Sequence, residues 1–186
     1  MILNERASRH EQVMNIARQM MTAARTAPKG KGVDVIEIAM VTDEDIKRLS
    51  DEMIAIHEEN GFKFFLRDAD NILNAECVII IIGTREHAHG LNCGHCGYTQ
   101  CADRPQGVPC AIVSVDVGIA IGSACATAAD HRVDTRVMFS AGLAAQRLGI
   151  LEGCSQCFAI PVSASSKNPF FDRKPKQPEN PPTELK

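Results

Sequence analysis

The sequence predicts an α/β (α+β) layered domain with a central sheet, and three observations support this fold class. Apolar residues recur at three- and four-residue spacing in several segments, as in amphipathic helices packed on a core. Residues 77–82 are almost purely β-branched, which is typical of a central strand covered on both faces. Helices and strands alternate along 186 residues, a length sufficient for one full-sized domain.

The first part of the chain predicts a helix, a strand and a second helix. A stripe of methionines and alanines predicts the first helix over residues 8–27, ended by a proline and two glycines. Residues 35–41 are apolar except for Glu37 and predict a strand. Thr42 followed by Asp45 is typical of a helix N-terminus, so the second helix begins there and stops before Gly61.

The second part predicts three further helices, a last strand and a tail. We expect helices over residues 68–75, 111–129 and 134–148, and a strand over residues 158–162. Five of the nine prolines lie beyond Lys167. We therefore expect a single domain of residues 1–165, followed by a proline-rich extended tail over residues 166–186.

Composition excludes several classes of function. A net charge of -3 and a pI near 6.1 argue against a broad basic face for nucleic acid, and without Trp there are few platforms for base stacking. The N-terminus lacks the apolar region of a signal peptide. The long apolar stretch of residues 111–129 is better explained as a buried helix than as a membrane span. We therefore expect a cytoplasmic protein that binds neither nucleic acid nor membrane.

Eight cysteines are more than a cytoplasmic chain of this size needs. Four lie in residues 83–110, a stretch too long for an ordinary connection, and such loops are usually functional. Their spacing is C-x2-C-x4-C-x8-C, and they are Cys93, Cys96, Cys101 and Cys110. Soft thiolates suit iron–sulfur clusters and zinc, and four ligands in one loop favour a [4Fe–4S] cubane. Gly94 and Gly97 let the backbone curl around a cluster.

Other residues leave alternatives open. Structural zinc commonly uses two C-x2-C pairs, so a zinc site is conceivable from Cys93, Cys96, Cys154 and Cys157. Cys154 and Cys157 could instead be redox-active. His95 could replace one cysteine ligand, although a solvated role is the simpler interpretation. Cys77 and Cys125 are interpreted as core residues.

Basic residues near the loop have two interpretations. Arg85 and Arg104 could offset the negative charge of a thiolate-bound cluster, or could be solvated surface residues.

The cysteine loop resembles the four-cysteine [4Fe–4S] domain of corrinoid iron–sulfur proteins. Both carry Cys-x-x-Cys-Gly-x-x-x-Cys, although Cys110 follows sooner here than the fourth cysteine does there. As a whole, the chain resembles the family of bacterial and archaeal proteins described as containing a ferredoxin domain.

The segments around the loop resemble a trimmed nitroreductase. The similar pieces are the Ala-Pro turn after the first helix, residues 116–129, residues 141–150 and the basic residues 173–175. This resemblance implies a nitroreductase-like fold and FMN at a homodimer interface. The implied flavin contacts are Arg6, Ser8, Arg9 and Arg173. Gly30 and Lys31 depart from the family, which often has Ser or Asn there.

These observations support three functional hypotheses. The first is a [4Fe–4S] electron-transfer protein, a homodimer that can also bind FMN, with an unidentified electron donor or acceptor. The second is a structural zinc-binding module that organises a partner surface. The third is a flavin-dependent, nitroreductase-type oxidoreductase with an inert loop. No general acid or base is evident in the sequence.

Overall fold

The computed structural model of the chain describes residues 2–171, which form five helices, a four-stranded sheet and two short 3-10 turns. The helices are α1 (Glu5–Thr26), α2 (Glu44–Asn60), α3 (Phe64–Asn74), α4 (Ala111–Asp130) and α5 (Phe139–Arg147). The strands are β1 (Ile36–Val41), β2 (Cys77–Arg85), β3 (Asp134–Thr135) and β4 (Cys154–Ser163).

The sheet is antiparallel, with the strand order β1-β2-β4-β3. Strand β2 lies inside it, paired with β1 on one side and β4 on the other. Every residue of β2 except Arg85 is buried. The predicted central strand is therefore confirmed.

Helices cover both faces of the sheet, as the layered prediction requires. Alternate residues of β2 point to opposite faces. Ile79 and Ile81 pack in a core with residues of α2, α3 and α5. Val78, Ile80 and Ile82 pack in a second core with residues of α1 and α4. The sheet is thus the middle of three layers.

Several predicted boundaries were wrong. The predicted helix over residues 134–148 begins only at Phe139, because Asp134–Thr135 pairs with β4 as a short strand. Helix α3 begins at Phe64 rather than at residue 68. Strand β2 extends to Arg85, which shortens the loop to residues 86–110, and β4 begins at Cys154 rather than at residue 158.

The start of the predicted tail packs on the domain. Phe170 is fully buried in the core on the α2, α3 and α5 side. Its carbonyl oxygen accepts hydrogen bonds from Asn71 Nδ2 at 3.3 Å and from Arg136 Nη1 at 2.9 Å. Phe170 thus anchors the start of the predicted tail to the core, while residues 172–186 lie outside the described residues.

Helix α4 has two different faces. Its inward face, including Val117, Ala120 and Ala124, is buried against α1 and the sheet. Its outward face is apolar and exposed at Val115 and Ile119. Among residues 2–171, α4 is the one helix that is long and apolar enough to span a membrane, and 33% of its apolar stretch is buried in the structure. The buried face agrees with the expectation of a core helix and leaves an apolar surface uncovered.

Because α5 packs closely against β4, we predict that position 142 tolerates no side chain. A Cβ at this position would lie 2.5 Å from Phe158 Cα and closer still to the carbonyl oxygen of Cys157. Gly142→Ala should therefore lower the free energy of unfolding by about 1–3 kcal/mol or more, because the backbone must separate. Urea denaturation measures this loss.

Arg147→Ala is the control for the Gly142 variant, since it lies on the same helix. It removes a 2.7 Å surface ion pair with Glu59, whose loss should cost less than about 1 kcal/mol. Equal stability of Gly142→Ala and the wild type would contradict the packing described for α5 and β4.

Candidate metal centre

A buried pair anchors the start of the cysteine loop to α4. His89 Nε2 lies 3.0 Å from Asp116 Oδ2, and both side chains are almost fully buried. The other oxygen of Asp116 accepts a 2.9 Å hydrogen bond from the backbone amide of Gly30. Lys31 Nζ donates to the carbonyl oxygen of His89 at 3.0 Å. One carboxylate therefore ties the loop to α4 and to the turn after α1.

Packing around His89 explains the departure at Gly30. A Cβ at Gly30 would lie 2.8 Å from His89 Nε2 and 2.9 Å from a methyl carbon of Ile112. A Ser or Asn at this position would collide with the residue that anchors the cysteine loop. The glycine and the loop are thus linked by one steric constraint.

The structure places the four predicted ligands on one loop in different environments. Cys110 is buried at the N-terminus of α4, Cys93 is exposed, and Cys96 and Cys101 are intermediate. All eight cysteines of the chain are free thiols. Within residues 2–171, no three His, Cys, Asp or Glu side chains converge closely enough to hold a metal ion. The loop therefore supplies four thiols without gathering them at one point.

The backbone of the loop is curled so that its amide groups can hydrogen-bond to cysteine sulfurs. Gly94 and Gly97 have φ values of 73° and 88°, in the left-handed region that favours glycine. Apart from the glycine and the residues on either side of it, no described atom lies within 4 Å of a Cβ built at either glycine. Asn92 and Cys101 are joined twice, by Cys101 N donating to Asn92 Oδ1 at 2.8 Å and Asn92 N donating to Cys101 Sγ at 3.4 Å. Amides already directed at sulfur are a typical feature of iron–sulfur sites.

Cys110 has the electrostatic surroundings of a thiolate. Burial alone would raise its pKa, but backbone amides of Val113, His89 and Ile112 hydrogen-bond its sulfur, and Arg104 adds a positive charge. Together these groups outweigh the burial and hold the pKa of Cys110 below its ordinary value. Cys110 is thus prepared to bind a cation.

Arg104 is a buried cation that lacks a close anion. Its side chain is only 8% exposed, and its nearest carboxylate oxygen, on Glu86, is 3.9 Å away. Its Nε and Nη1 have no hydrogen-bond partner among the described residues. A buried, unsatisfied guanidinium is costly unless negative charge lies nearby. The four thiols and this cation are therefore chemically suited to an anionic thiolate cluster.

The remaining four cysteines lie on strands β2 and β4 and on helix α4. Cys77 is buried, and burial raises the pKa of its thiol to about 12, as expected for a core residue. Burial likewise raises the pKa of Cys125. Cys154 and Cys157 lie within β4 rather than before it. Cys154 lines a cavity of about 160 Å³ together with Cys110.

Two of the residues implied as flavin contacts meet near the chain ends. Arg6 and Arg9 line an open cavity of about 490 Å³ with four other polar residues, Glu5, Arg132, Ser165 and Ser166. Arg9 also makes two 2.7 Å hydrogen bonds to Glu5. This cavity is basic enough to attract an anionic group.

The other two implied flavin contacts are not in that cavity. Ser8 donates its hydroxyl to the carbonyl oxygen of Glu5 within α1, and it does not line the cavity. Arg173 lies outside the described residues.

Sequence reasoning missed the His89–Asp116 pair. The signal for it was a lone carboxylate in the otherwise uncharged residues 111–129. The partner is distant in sequence and cannot be identified from spacing.

Sequence comparisons identify a family and a relative of this chain. Residues 106–173 match a family described as uncharacterized proteins containing a ferredoxin domain. An uncharacterized protein of Archaeoglobus fulgidus is 38% identical over 186 residues, covering 95% of this chain and 100% of the relative.

Solved structures show the fold. A nitroreductase with bound FMN from Desulfitobacterium hafniense superposes with a TM-score of 0.56 and 16% identity, covering 89% of this chain and 82% of its own. A nitroreductase family protein from Clostridium novyi NT superposes with a TM-score of 0.52 and 16% identity, covering 80% of this chain and 73% of its own. The chain therefore has a nitroreductase-like fold.

The anchoring pair predicts that Asp116→Ala loosens the cysteine loop. The substitution removes both hydrogen bonds of the carboxylate and leaves His89 buried without its partner, so we expect a loss of about 3–5 kcal/mol in unfolding free energy. Backbone amides of residues 86–110 should exchange with deuterium faster than in the wild type, which mass spectrometry measures. His131→Ala, at an exposed histidine, is the control. Unchanged exchange in the loop would show that the pair does not anchor it.

Proposed function

The chain belongs to the family of proteins described as containing a ferredoxin domain, and from that premise we propose that it is an iron–sulfur redox protein whose loop holds a [4Fe–4S] cluster. The observation that carries the proposal is the pairing of four free thiols on one loop with the buried cation of Arg104. The proposed ligands are Cys93, Cys96, Cys101 and Cys110.

The chain's own residues would set the properties of the cluster. When bound, a [4Fe–4S] cluster supplies one-electron transfer. Cys110 would bring a thiolate already stabilised by amides at the start of α4. Arg104 would offset negative charge, which favours the reduced state and raises the reduction potential. His89 and Asp116 would hold the loop in position, so they are positioning residues.

Removing one ligand should abolish cluster assembly. After anaerobic reconstitution, the wild type should contain about four iron and four sulfide ions per chain, the stoichiometry of a cubane. Cys96→Ser should retain only a small fraction of that iron, because one thiolate ligand is missing. Cys125→Ser, which alters a half-buried thiol of α4, should keep the full content. Iron and acid-labile sulfide assays on the same samples measure both.

Two results would contradict the cluster. One is a wild-type protein without iron or sulfide that contains one zinc per chain, which would support the structural zinc module. The other is equal iron content in Cys96→Ser and the wild type.

We also propose that two chains associate through α4 and bind FMN. Apart from Asp130 at its last position, the exposed face of α4 is formed by uncharged, mostly small residues: Val115, Gly118, Ile119, Gly122, Ala126 and Ala129. Such a surface permits close approach of a second copy. The basic cavity that contains Arg6 and Arg9 offers a place for the phosphate of FMN. The Desulfitobacterium hafniense nitroreductase, which shares the fold, holds bound FMN, and this supports the same hypothesis.

Charges on the outer face of α4 should separate the two chains. Light scattering should give twice the 20.2 kDa chain mass for the wild type. The double variant Val115→Glu, Ile119→Glu should raise the dissociation constant about a hundredfold or more, because burying unpaired carboxylates costs several kcal/mol. FMN binding, followed by fluorescence quenching, should weaken in parallel.

Leu66→Glu is the control, since it places the same charge at an exposed position on α3, in the opposite helix layer. A monomeric wild type would contradict the dimer. A double variant that remains dimeric would contradict the role of α4.

A further inference from the structure

Cys154 and Cys157 lie on β4, where a spacing of three residues would normally place their side chains on opposite faces of the sheet. In a regular strand, residues three positions apart point to opposite faces of the sheet. Here Ile82 pairs with Phe158, whereas Thr84 pairs with Ser155, so the register shifts by one residue. This β-bulge places one extra residue opposite β2. It rotates Cys154 to the same face as Cys157.

Packing confirms that both cysteines share a face. Cys157 belongs to the core on the α2, α3 and α5 side, and Cys154 packs against that same core. The neighbouring Phe158 and Ile160 pack on the opposite side, with α1 and α4. The two sulfurs are therefore on one side of the sheet.

The missing side chain of Gly83 leaves a space that is bordered by the sulfur of Cys157 and by the Cβ of Cys154. A Cβ built on Gly83 would lie 2.6 Å from Cys157 Sγ and 3.4 Å from Cys154 Cβ. Cys157 Sγ and Cys154 Cβ both border this point, so these two atoms are at most about 6 Å apart. Closing a disulfide requires the side chain of Cys154 to turn toward Cys157. Any side chain at position 83 would fill this space.

Contacts from both helix layers hold the bulge. Gln156, with a φ of 50°, accepts a 2.6 Å hydrogen bond from Ser114 Oγ of α4 through its Oε1 atom. Cys157 N donates to Gln146 Oε1 of α5 at 3.4 Å. The bulge is thus supported by tertiary contacts rather than by local sequence alone.

The two thiols differ in access to solvent. Cys154 is partly exposed and lines the 160 Å³ cavity. Cys157 is only 3% exposed, and burial together with the neighbouring Cys154 raises the pKa of its thiol to about 11. A reagent from solvent therefore reaches Cys154 first.

We propose that Cys154 and Cys157 are a redox-active dithiol that closes to an intrachain disulfide, with Cys154 as the attacking and Cys157 as the resolving thiol. The oxidant is a small-molecule disulfide. The sulfur of Cys154 attacks it, breaks its S–S bond and releases one small thiol, which takes up the proton of Cys154. The sulfur of Cys157 then attacks Cys154, and the second small thiol leaves with the proton of Cys157. Two electrons pass from the protein sulfurs to the small disulfide.

The test uses the full chain, equilibrated anaerobically in buffers from excess reduced to excess oxidised glutathione, then alkylated and digested with trypsin. Residues 148–167 form one tryptic peptide with Cys154 and Cys157 as its cysteines, so the pair is read separately from the loop. In the wild type, this peptide should change from doubly alkylated to internally disulfide-bonded across the series. The two forms of the peptide differ in mass, and their relative signal intensities give the disulfide-bonded fraction.

Two variants separate the roles of the thiols. Cys157→Ser should accumulate glutathione on Cys154, because the resolving thiol is missing. Cys154→Ser should take up little glutathione at the buried Cys157. Gly83→Ala should reduce disulfide closure by filling the shared space, whereas Cys125→Ser should behave as the wild type.

The outcomes that would overturn the proposal concern the wild type and need no variant. One is a peptide that stays doubly alkylated in every buffer. The other is a peptide that gains glutathione without ever closing. Neither result bears on iron binding by the loop, so failure here is distinct from failure of the cluster.

Discussion

Eight consecutive residues of β2, from Cys77 to Thr84, are hidden from solvent on both faces of the sheet. Burying each large aliphatic side chain contributes roughly 1.5–3 kcal/mol, provided that other elements cover both faces. Strands β1 and β4 satisfy the backbone groups of β2, and the two helix layers cover its side chains. The three-layered architecture follows from this one strand.

The same strand determines where the chemistry lies. The cysteine loop leaves the end of β2 and returns at the start of α4, where His89 and Asp116 fasten it to the core. At that end, Gly83 leaves a space that is bordered by Cys157 Sγ and Cys154 Cβ. A rigid, buried element thus positions two groups of sulfur atoms, one in a loop and one in a neighbouring strand.

Much of the fold was predictable because its signals are local. The β-branched run identified β2, and the alternation of helices and strands identified the layers. The boundaries that failed depend on distant partners. Asp134–Thr135 is a strand only because β4 lies beside it, and β4 begins at Cys154 only because a bulge at Gln156 extends its pairing with β2.

The candidate site was predictable to a similar extent. The four loop cysteines could be grouped into one predicted site from their spacing. This was possible because thiolate ligation depends on the residue type, which the sequence shows directly. The buried partner of Asp116 depends on tertiary packing, so no local pattern identified it. Arg104 was a candidate from the sequence, but its burial and its unsatisfied nitrogens also depend on tertiary packing.

X-ray absorption at the iron and zinc edges of the anaerobically purified chain tests the central claim most directly. Because the method identifies the metal and its neighbours, it distinguishes a cluster from a single ion. A [4Fe–4S] cluster in the loop should give an iron edge with a shell of sulfur atoms and a second shell of iron atoms. A zinc edge with a sulfur shell at about 2.3 Å and no iron would contradict it.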